Sequence, residues 1–193
     1  MQAARLSASN IACRRGDRLL FTGLGFALGP GEALQVAGAN GIGKSSLLRI
    51  LAGLARPYAG TVEREGNVGL VDERLALDEH LPLGKALAFW SALDGEDEAQ
   101  RAAGLGLSEL LDVPVRYLST GQRKRAALAR LLGQQAPIWL LDEPLNGLDT
   151  DAVALLIRLT AEHCATGGIA IVASHQSFAL EGMRQLALQD FVQ

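Results

Sequence analysis

The chain has 193 residues, 49% of them apolar and 20% charged, with a formal net charge of −3. That length carries one domain, in two lobes at most, and buries a sizeable core. The charge balance excludes a chain-wide electrostatic footprint for nucleic acid or an acidic membrane surface, and the absence of any run of about 18 or more apolar residues excludes a membrane-spanning helix.

The first residues, Met1-Gln2-Ala3-Ala4-Arg5, lack the apolar core of a signal peptide. Residues 6–28 show short alternating stretches: Leu6, Ala8 and Ile11, then Leu19-Leu20-Phe21, then Phe26-Ala27-Leu28. Breaks at Gly16-Asp17, Gly23 and Gly29-Pro30-Gly31 read as turns, so a small antiparallel sheet is expected first. Residues 32–37 read as a short strand that feeds Gly38-Ala39-Asn40-Gly41-Ile42-Gly43-Lys44-Ser45-Ser46. This stretch fits G-x-x-x-x-G-K-[ST], whose backbone N–H groups wrap a nucleotide's phosphates. Gly38, Gly41 and Gly43 let the backbone approach phosphate with no Cβ in the way. Lys44 is a compact point charge suited to β- and γ-phosphates, and Ser45 offers a hydroxyl to Mg²⁺. The helix that starts at Lys44 and ends near Gly53 adds its positive dipole end to the same place.

A hairpin is expected next, through Thr61-Val62-Glu63 and Val68-Gly69-Leu70-Val71. Leu83, Leu87, Phe89-Trp90 and Leu93, then Leu105, Leu107, Leu110 and Leu111, recur at roughly helical spacing with acidic residues between them. They predict a helical lobe inserted into the core. Residues 126–132 continue a helix, Ile138-Trp139-Leu140-Leu141 is a strand buried on both faces, residues 151–165 form an amphipathic helix, and Ile169-Ala170-Ile171-Val172 is a second buried strand. Helices alternating with buried strands predict an α/β fold with a mostly parallel sheet.

Two further constellations carry chemistry. Leu141-Asp142-Glu143-Pro144 places carboxylates at the carboxyl end of a buried strand, where α/β sheets bind ligands. Asp142 is suited to Mg²⁺, and Glu143 to polarising a water for in-line attack on a γ-phosphate. Leu118-Ser119-Thr120-Gly121-Gln122 opens a helix with Ser119 as its N-cap, and Arg123-Lys124-Arg125 follows. A basic first turn opposes the helix dipole, and an anion arriving from outside would relieve it. A plain helix cap is the alternative for this stretch taken alone. His163-Cys164 has no partners at metal-ligand spacing and reads as a helix end. Cys13 and Cys164 are too few and too far apart for a disulfide framework and suggest a reducing compartment, by default the cytoplasm.

Residues 38–45, 118–122, 141–144, Leu148-Asp149 and Ser174-His175 together resemble the Walker A, signature, Walker B, D-loop and switch-histidine motifs of ABC-type ATPases, in the family's order. The resemblance implies a P-loop NTPase (RecA-like) core with an N-terminal antiparallel β-subdomain and an inserted helical subdomain. Residues 1–193 would form a single cassette, with a core lobe of about 1–74 and 117–193 and a helical lobe of about 75–116. It implies ATP and Mg²⁺ as ligands, with Ser45 and Asp142 on the metal and Glu143 and His175 at the catalytic centre. It implies a second copy in an ATP-sandwich dimer, where Ser119, Thr120, Gly121 and Gln122 meet the partner's γ-phosphate and Asp149 communicates across the interface. Within the family the chain looks most like the haem-exporter ATPases of bacterial cytochrome c maturation. That likeness lies in Gly167-Gly168-Ile169-Ala170-Ile171-Val172-Ala173-Ser174-His175-Gln176 and Arg14-Arg15-Gly16-Asp17-Arg18-Leu19-Leu20-Phe21. It implies membrane-spanning transporter subunits as partners, a peripheral place on the cytoplasmic face of the inner membrane, and no nucleic acid.

Two departures from the family pattern stand out. Where many members carry a glutamine after the strand at 68–71, this chain reads Val71-Asp72-Glu73-Arg74, which makes Glu73 the candidate substitute, with an added negative charge. Where many stack adenine on an aromatic ring, this chain has Arg14-Arg15. Arg15 is the candidate, since a guanidinium plane stacks on a base, and a solvated turn residue is the alternative. Three other readings stay open at this point: the ATPase of another small ABC exporter, a soluble ABC-type ATPase acting on nucleic acid or ribosomes, and a non-hydrolysing regulatory module. The lack of a second cassette or long coiled coil disfavours the soluble ATPase, and the presence of Glu143 and His175 disfavours the regulatory module.

Overall fold

The computed structural model describes residues 4–72, 74–94 and 98–192. Two sheets share the molecule. Strands β1 (Arg5–Arg15), β2 (Arg18–Leu28) and β4 (Ala59–Glu65) form an antiparallel sheet in the order β2-β1-β4. Strands β3 (Ala33–Ala37), β5 (Val68–Val71), β6 (Ile138–Asp142), β7 (Ile169–Ser174) and β8 (Arg184–Ala187) form a parallel sheet in the order β5-β6-β7-β3-β8. The α/β class with an antiparallel sheet ahead of a parallel one is as the sequence predicts.

The parallel sheet is covered on both faces, so every residue of β6 and β7 is buried, and both strands are apolar up to their last residues, Asp142 and Ser174. Alternation sends neighbours to opposite cores. Ile138, Leu140, Ile169 and Ile171 face one cluster with β1, β2 and helix α1 (Lys44–Leu51). Trp139, Leu141 and Val172 face a second cluster, shared by helices α2 (Leu83–Asp94), α4 (Thr120–Gly133) and α5 (Thr150–Ala165) and by residues around the short α3 (Glu98–Gly104).

The structure differs from the sequence expectations in four places. Gly23 does not end a strand: β2 runs through it, and β1 takes up the irregularity in register shifts opposite, with Asn10 at φ 52°. The expected hairpin is absent. β4 pairs antiparallel with β1, whereas β5 pairs parallel with β6, so the chain changes sheets at residues 66–67. Periodicity reports that a stretch is extended and leaves its partner open. Residues 105–111 hold a turn and a single 3₁₀ turn (Ser108–Leu110) rather than a helix, because Gly106 takes φ 68° and stops α3. Finally β8 carried no apolar signal. It is a half-exposed edge strand, recruited by its pairing to β3. Glu73 lies outside the described residues.

At the amino ends of β6 and β7 the imidazole of His163 stacks on Trp139, with ring centroids 3.9 Å apart and 9° between planes, and its Nε2 lies 3.2 Å from the Ile169 carbonyl oxygen. Burial pushes the imidazole below the usual histidine range, and the carbonyls of Ile169 and Pro137 offset that only in part. The fold therefore holds His163 neutral. Its contribution to stability is full above the unfolded value of about 6.5 and is lost as pH falls through the lower folded value. Urea midpoints should drop between about pH 7.5 and about pH 5.5, a window above that of the carboxylates. His163→Gln should shrink that drop, and an equal drop in the variant would assign it elsewhere.

Candidate functional site

The site forms where β3, β6 and β7 end side by side, at the carboxyl edge of the parallel sheet. From β3 the chain turns through residues 38–43 into α1. Gly43 is the N-cap at φ 118°, and a Cβ there would stand 3.1 Å from the Phe21 ring, so glycine is needed for both torsion and space. Ala39, Asn40, Gly41 and Ser45 are exposed, and Gly38, Ile42 and Ser46 half-buried. Gly41, Gly43, Ser45 and Ser46 line a cleft of about 220 Å³ together with Arg15, Arg18 and Lys44. Arg15 thus borders the loop from the β1–β2 turn, while Arg14 lies over Tyr58, 5.0 Å from the ring centroid.

Lys44 is buried at 5% exposure and its ammonium is fully engaged. Nζ donates to the carbonyls of Gly38 at 2.8 Å and Ala39 at 3.1 Å, and pairs with Glu143 Oε1 at 2.9 Å. That last contact is a charge contact outside hydrogen-bond alignment. Glu143 follows β6 directly. Its N–H donates to Ala173 O at 2.8 Å, its φ is 43°, and its other oxygen, Oε2, lies 2.8 Å from His175 Nδ1. Burial alone would raise its pKa, but the close contacts and positive charge of Lys44 and His175 outweigh burial and hold the carboxyl below its usual range. Glu143 is therefore ionised at neutral pH. Asp142 is buried at the end of β6, and Ser45 sits in the first turn of α1. The carboxylate and the hydroxyl are both hard oxygen donors of the kind Mg²⁺ takes alongside water and phosphate.

A second group of residues gathers at the start of α4. Ser119 caps it through a reciprocal pair: Gln122 N donates to Ser119 Oγ at 3.2 Å, and Ser119 N to Gln122 Oε1 at 2.8 Å. Ser119 and Thr120 are exposed. Gly121 touches the loop after β6, since a Cβ there would lie 2.8 Å from Gly147 O. Asp149 caps α5 by accepting from Ala152 N at 2.8 Å. The structure thus brings residues 38–46, Glu143 and His175 into one cluster. Residues 119–122 form a separate tip, exposed at Ser119 and Thr120 and half-buried at Gly121 and Gln122, and packed against the loop that carries Gly147.

Three participants had escaped the sequence reading. Gln35, buried on β3, donates to Gln176 O at 2.6 Å and accepts from Phe178 N at 3.3 Å, which anchors the segment after His175. A lone amide within Ala33-Leu34-Gln35-Val36-Ala37 was its signal. Asn146 accepts from Gln176 Nε2 at 3.1 Å. Lys124 donates to the main-chain carbonyl of Glu143, and the basic run after the cap was its signal.

Residues 21–146 match the family model described as ABC transporter. The chain is 60% identical over 193 residues to a cytochrome c biogenesis ATP-binding export protein (CcmA) of Novosphingobium aromaticivorans, covering 99% of each chain. It is 54% identical over 191 residues to the protein of the same name from Zymomonas mobilis, covering 98% of this chain and 86% of that one. Among solved structures, a metal-chelate type ABC transporter in an inward-facing conformation aligns with TM-score 0.80 at 25% identity, over 99% of this chain and 82% of that one.

Gly121→Ala sets two effects against each other. Helix propensity favours alanine by about 0.5–1 kcal/mol. The clash is with a backbone oxygen that cannot rotate away, and overpacking of this kind costs about 1–3 kcal/mol. The variant should be less stable to urea by about 1 kcal/mol and slower in ATP turnover. A stabilised variant would mean that the loop at Gly147 yields freely.

Proposed function

The chain belongs to the ABC transporter family, and within it to the cytochrome c biogenesis ATP-binding export proteins; from that premise we propose that it is the ATP-hydrolysing subunit of a haem exporter serving c-type cytochromes. The observation that carries the hydrolytic reading is the Lys44–Glu143–His175 constellation beside the phosphate loop.

Residues 38–46 bind the triphosphate, with backbone N–H groups around the phosphates and Lys44 transferring its charge from Glu143 to the β- and γ-phosphates. Glu143 is released by that exchange and takes the attacking water, already ionised and with His175 beside it to hold the water in line. Ser45 and Asp142 would hold Mg²⁺, which would supply charge neutralisation at the phosphate oxygens. Arg15 stacks on the base from the rim of the cleft. Ser119, Thr120, Gly121 and Gln122 of a second copy close over the γ-phosphate, and Asp149 faces the junction. In support, Ser119 and Thr120 stand exposed at the positive end of a 14-residue helix.

The cassette reads as one unit, with residues 75–116 as the lobe that docks on membrane-spanning transporter subunits. Phe89 and Leu93 are 59% and 64% exposed there, beside an apolar cleft lined by Leu75, Leu77, Leu81 and Trp90. No helix among the described residues is long and apolar enough to cross a membrane. We place the subunit at the cytoplasmic face of the bacterial inner membrane, held there by those partners.

Glu143→Gln should lower kcat by about 10²–10⁴-fold and trap an ATP-bound dimer, since the water loses its orienting charge while the binding contacts remain. Size-exclusion chromatography in Mg-ATP reads this out, and a monomer would contradict it. Deleting the gene should remove c-type cytochromes and spare b-type ones, as read in haem-stained gels; normal c-type levels would refute the haem assignment.

A further inference from the structure

The first turn of α4 is basic where the helix dipole is already positive, so its cations need acceptors. Arg123 finds them locally, donating Nε to Leu118 O at 3.1 Å and Nη2 to Arg116 O at 2.6 Å. Lys124 reaches across to the carbonyl of Glu143. Glu143 stands at φ 43°, a left-handed conformation that non-glycine residues adopt only where their surroundings impose it. Its N–H is fixed from β7 by Ala173 O at 2.8 Å, and its carbonyl is fixed from α4 by Lys124. Between these two anchors the carboxylate spans Lys44 and His175.

We infer that Lys124 is a positioning residue for hydrolysis: it clamps the Glu143 carbonyl, holds that residue left-handed, and so aims the carboxylate between Lys44 and His175. The inference rests on the reading of Glu143 as the group that orients the attacking water. It also gives the basic turn a mechanical role. The helix whose tip carries Ser119 and Thr120 is bonded, one turn further on, to the backbone of Glu143 in the same chain. In the two-copy assembly that tip faces the partner's nucleotide, so a displacement of α4 shifts the base of the other site. The Gly121 contact with Gly147 O runs parallel to this link and leads to the loop rather than to the base.

The test uses the full chain with Lys124→Met and Lys124→Arg. Misplacing a reacting group by about 1 Å costs on the order of 10²-fold in rate, so Lys124→Met should lower kcat by about that factor while KM for ATP stays unchanged. Lys124→Arg, which keeps a long cationic donor, should recover most of kcat. Lys124→Met combined with Glu143→Gln should still dimerise in Mg-ATP as Glu143→Gln does alone. Wild-type kcat in Lys124→Met would overturn the inference. So would a joint loss of kcat, ATP affinity and dimerisation in both Lys124 variants, the mark of a merely structural residue. If Lys124→Met fails to fold, Lys124→Gln is read by the same criteria. Wild-type kcat in Glu143→Gln alone would overturn the reading of Glu143 itself, separately from the Lys124 result.

Discussion

One ammonium group organises the centre of this molecule. Lys44 is buried, and a buried cation without partners is untenable, so the chain must bring it acceptors. Two are carbonyls of its own loop, which curl residues 38–43 around it, and the third is the carboxylate at the end of β6. That carboxylate then draws in His175 from the end of β7. Three segments distant in sequence are fastened by one charge. The same charge is the natural partner of a phosphate, so ligand entry proceeds by exchange: the lysine gives up Glu143 for a stronger anion, and the carboxylate is freed where water can reach it.

The sheet makes this exchange possible because it is rigid and two-faced. Neighbouring residues of β6 and β7 are committed to different cores, Ile138 and Leu140 to one and Trp139 and Leu141 to the other. Slipping either strand by one residue would swap every side chain to the wrong side. The strand ends are therefore pinned in register, and the groups just beyond them inherit that precision. Glu143 adds a ladder bond to Ala173, and Gln35 reaches from β3 to secure the segment after His175. Loops carry the reactive groups here, and strand pairing sets where they stand.

How far this could be read in advance depended on whether chemistry or geometry dictated the residues. The stretch from Gly38 to Ser46 was legible because wrapping a phosphate demands glycines, a lysine and a hydroxyl at fixed spacing. The central strands were legible because burial on both faces leaves a continuous apolar run, broken only at the carboxyl ends by Asp142 and Ser174. The edge strand β8 was not, since Arg184-Gln185-Leu186-Ala187 owes its form to hydrogen bonds with β3 and half of it stays wet. The hairpin expected across residues 61–71 failed for a related reason: alternation marks an extended segment, while the choice of partner depends on a sheet that is distant in sequence. Lys124 was visible only as a surplus positive charge, and its acceptor, a main-chain carbonyl, leaves no trace in residue types.

The cap of α5 bears on assembly. Asp149 already uses its carboxylate to satisfy the Ala152 amide at 2.8 Å. A donor that draws Oδ1 away leaves the amide bare, a loss of about 1 kcal/mol that frays the opening turn of α5, whereas one that takes Oδ2 leaves the cap in place. Contact at this corner is thus easiest through the outer oxygen, and the cap resists with a small restoring force only a visitor that pulls the inner one off the helix.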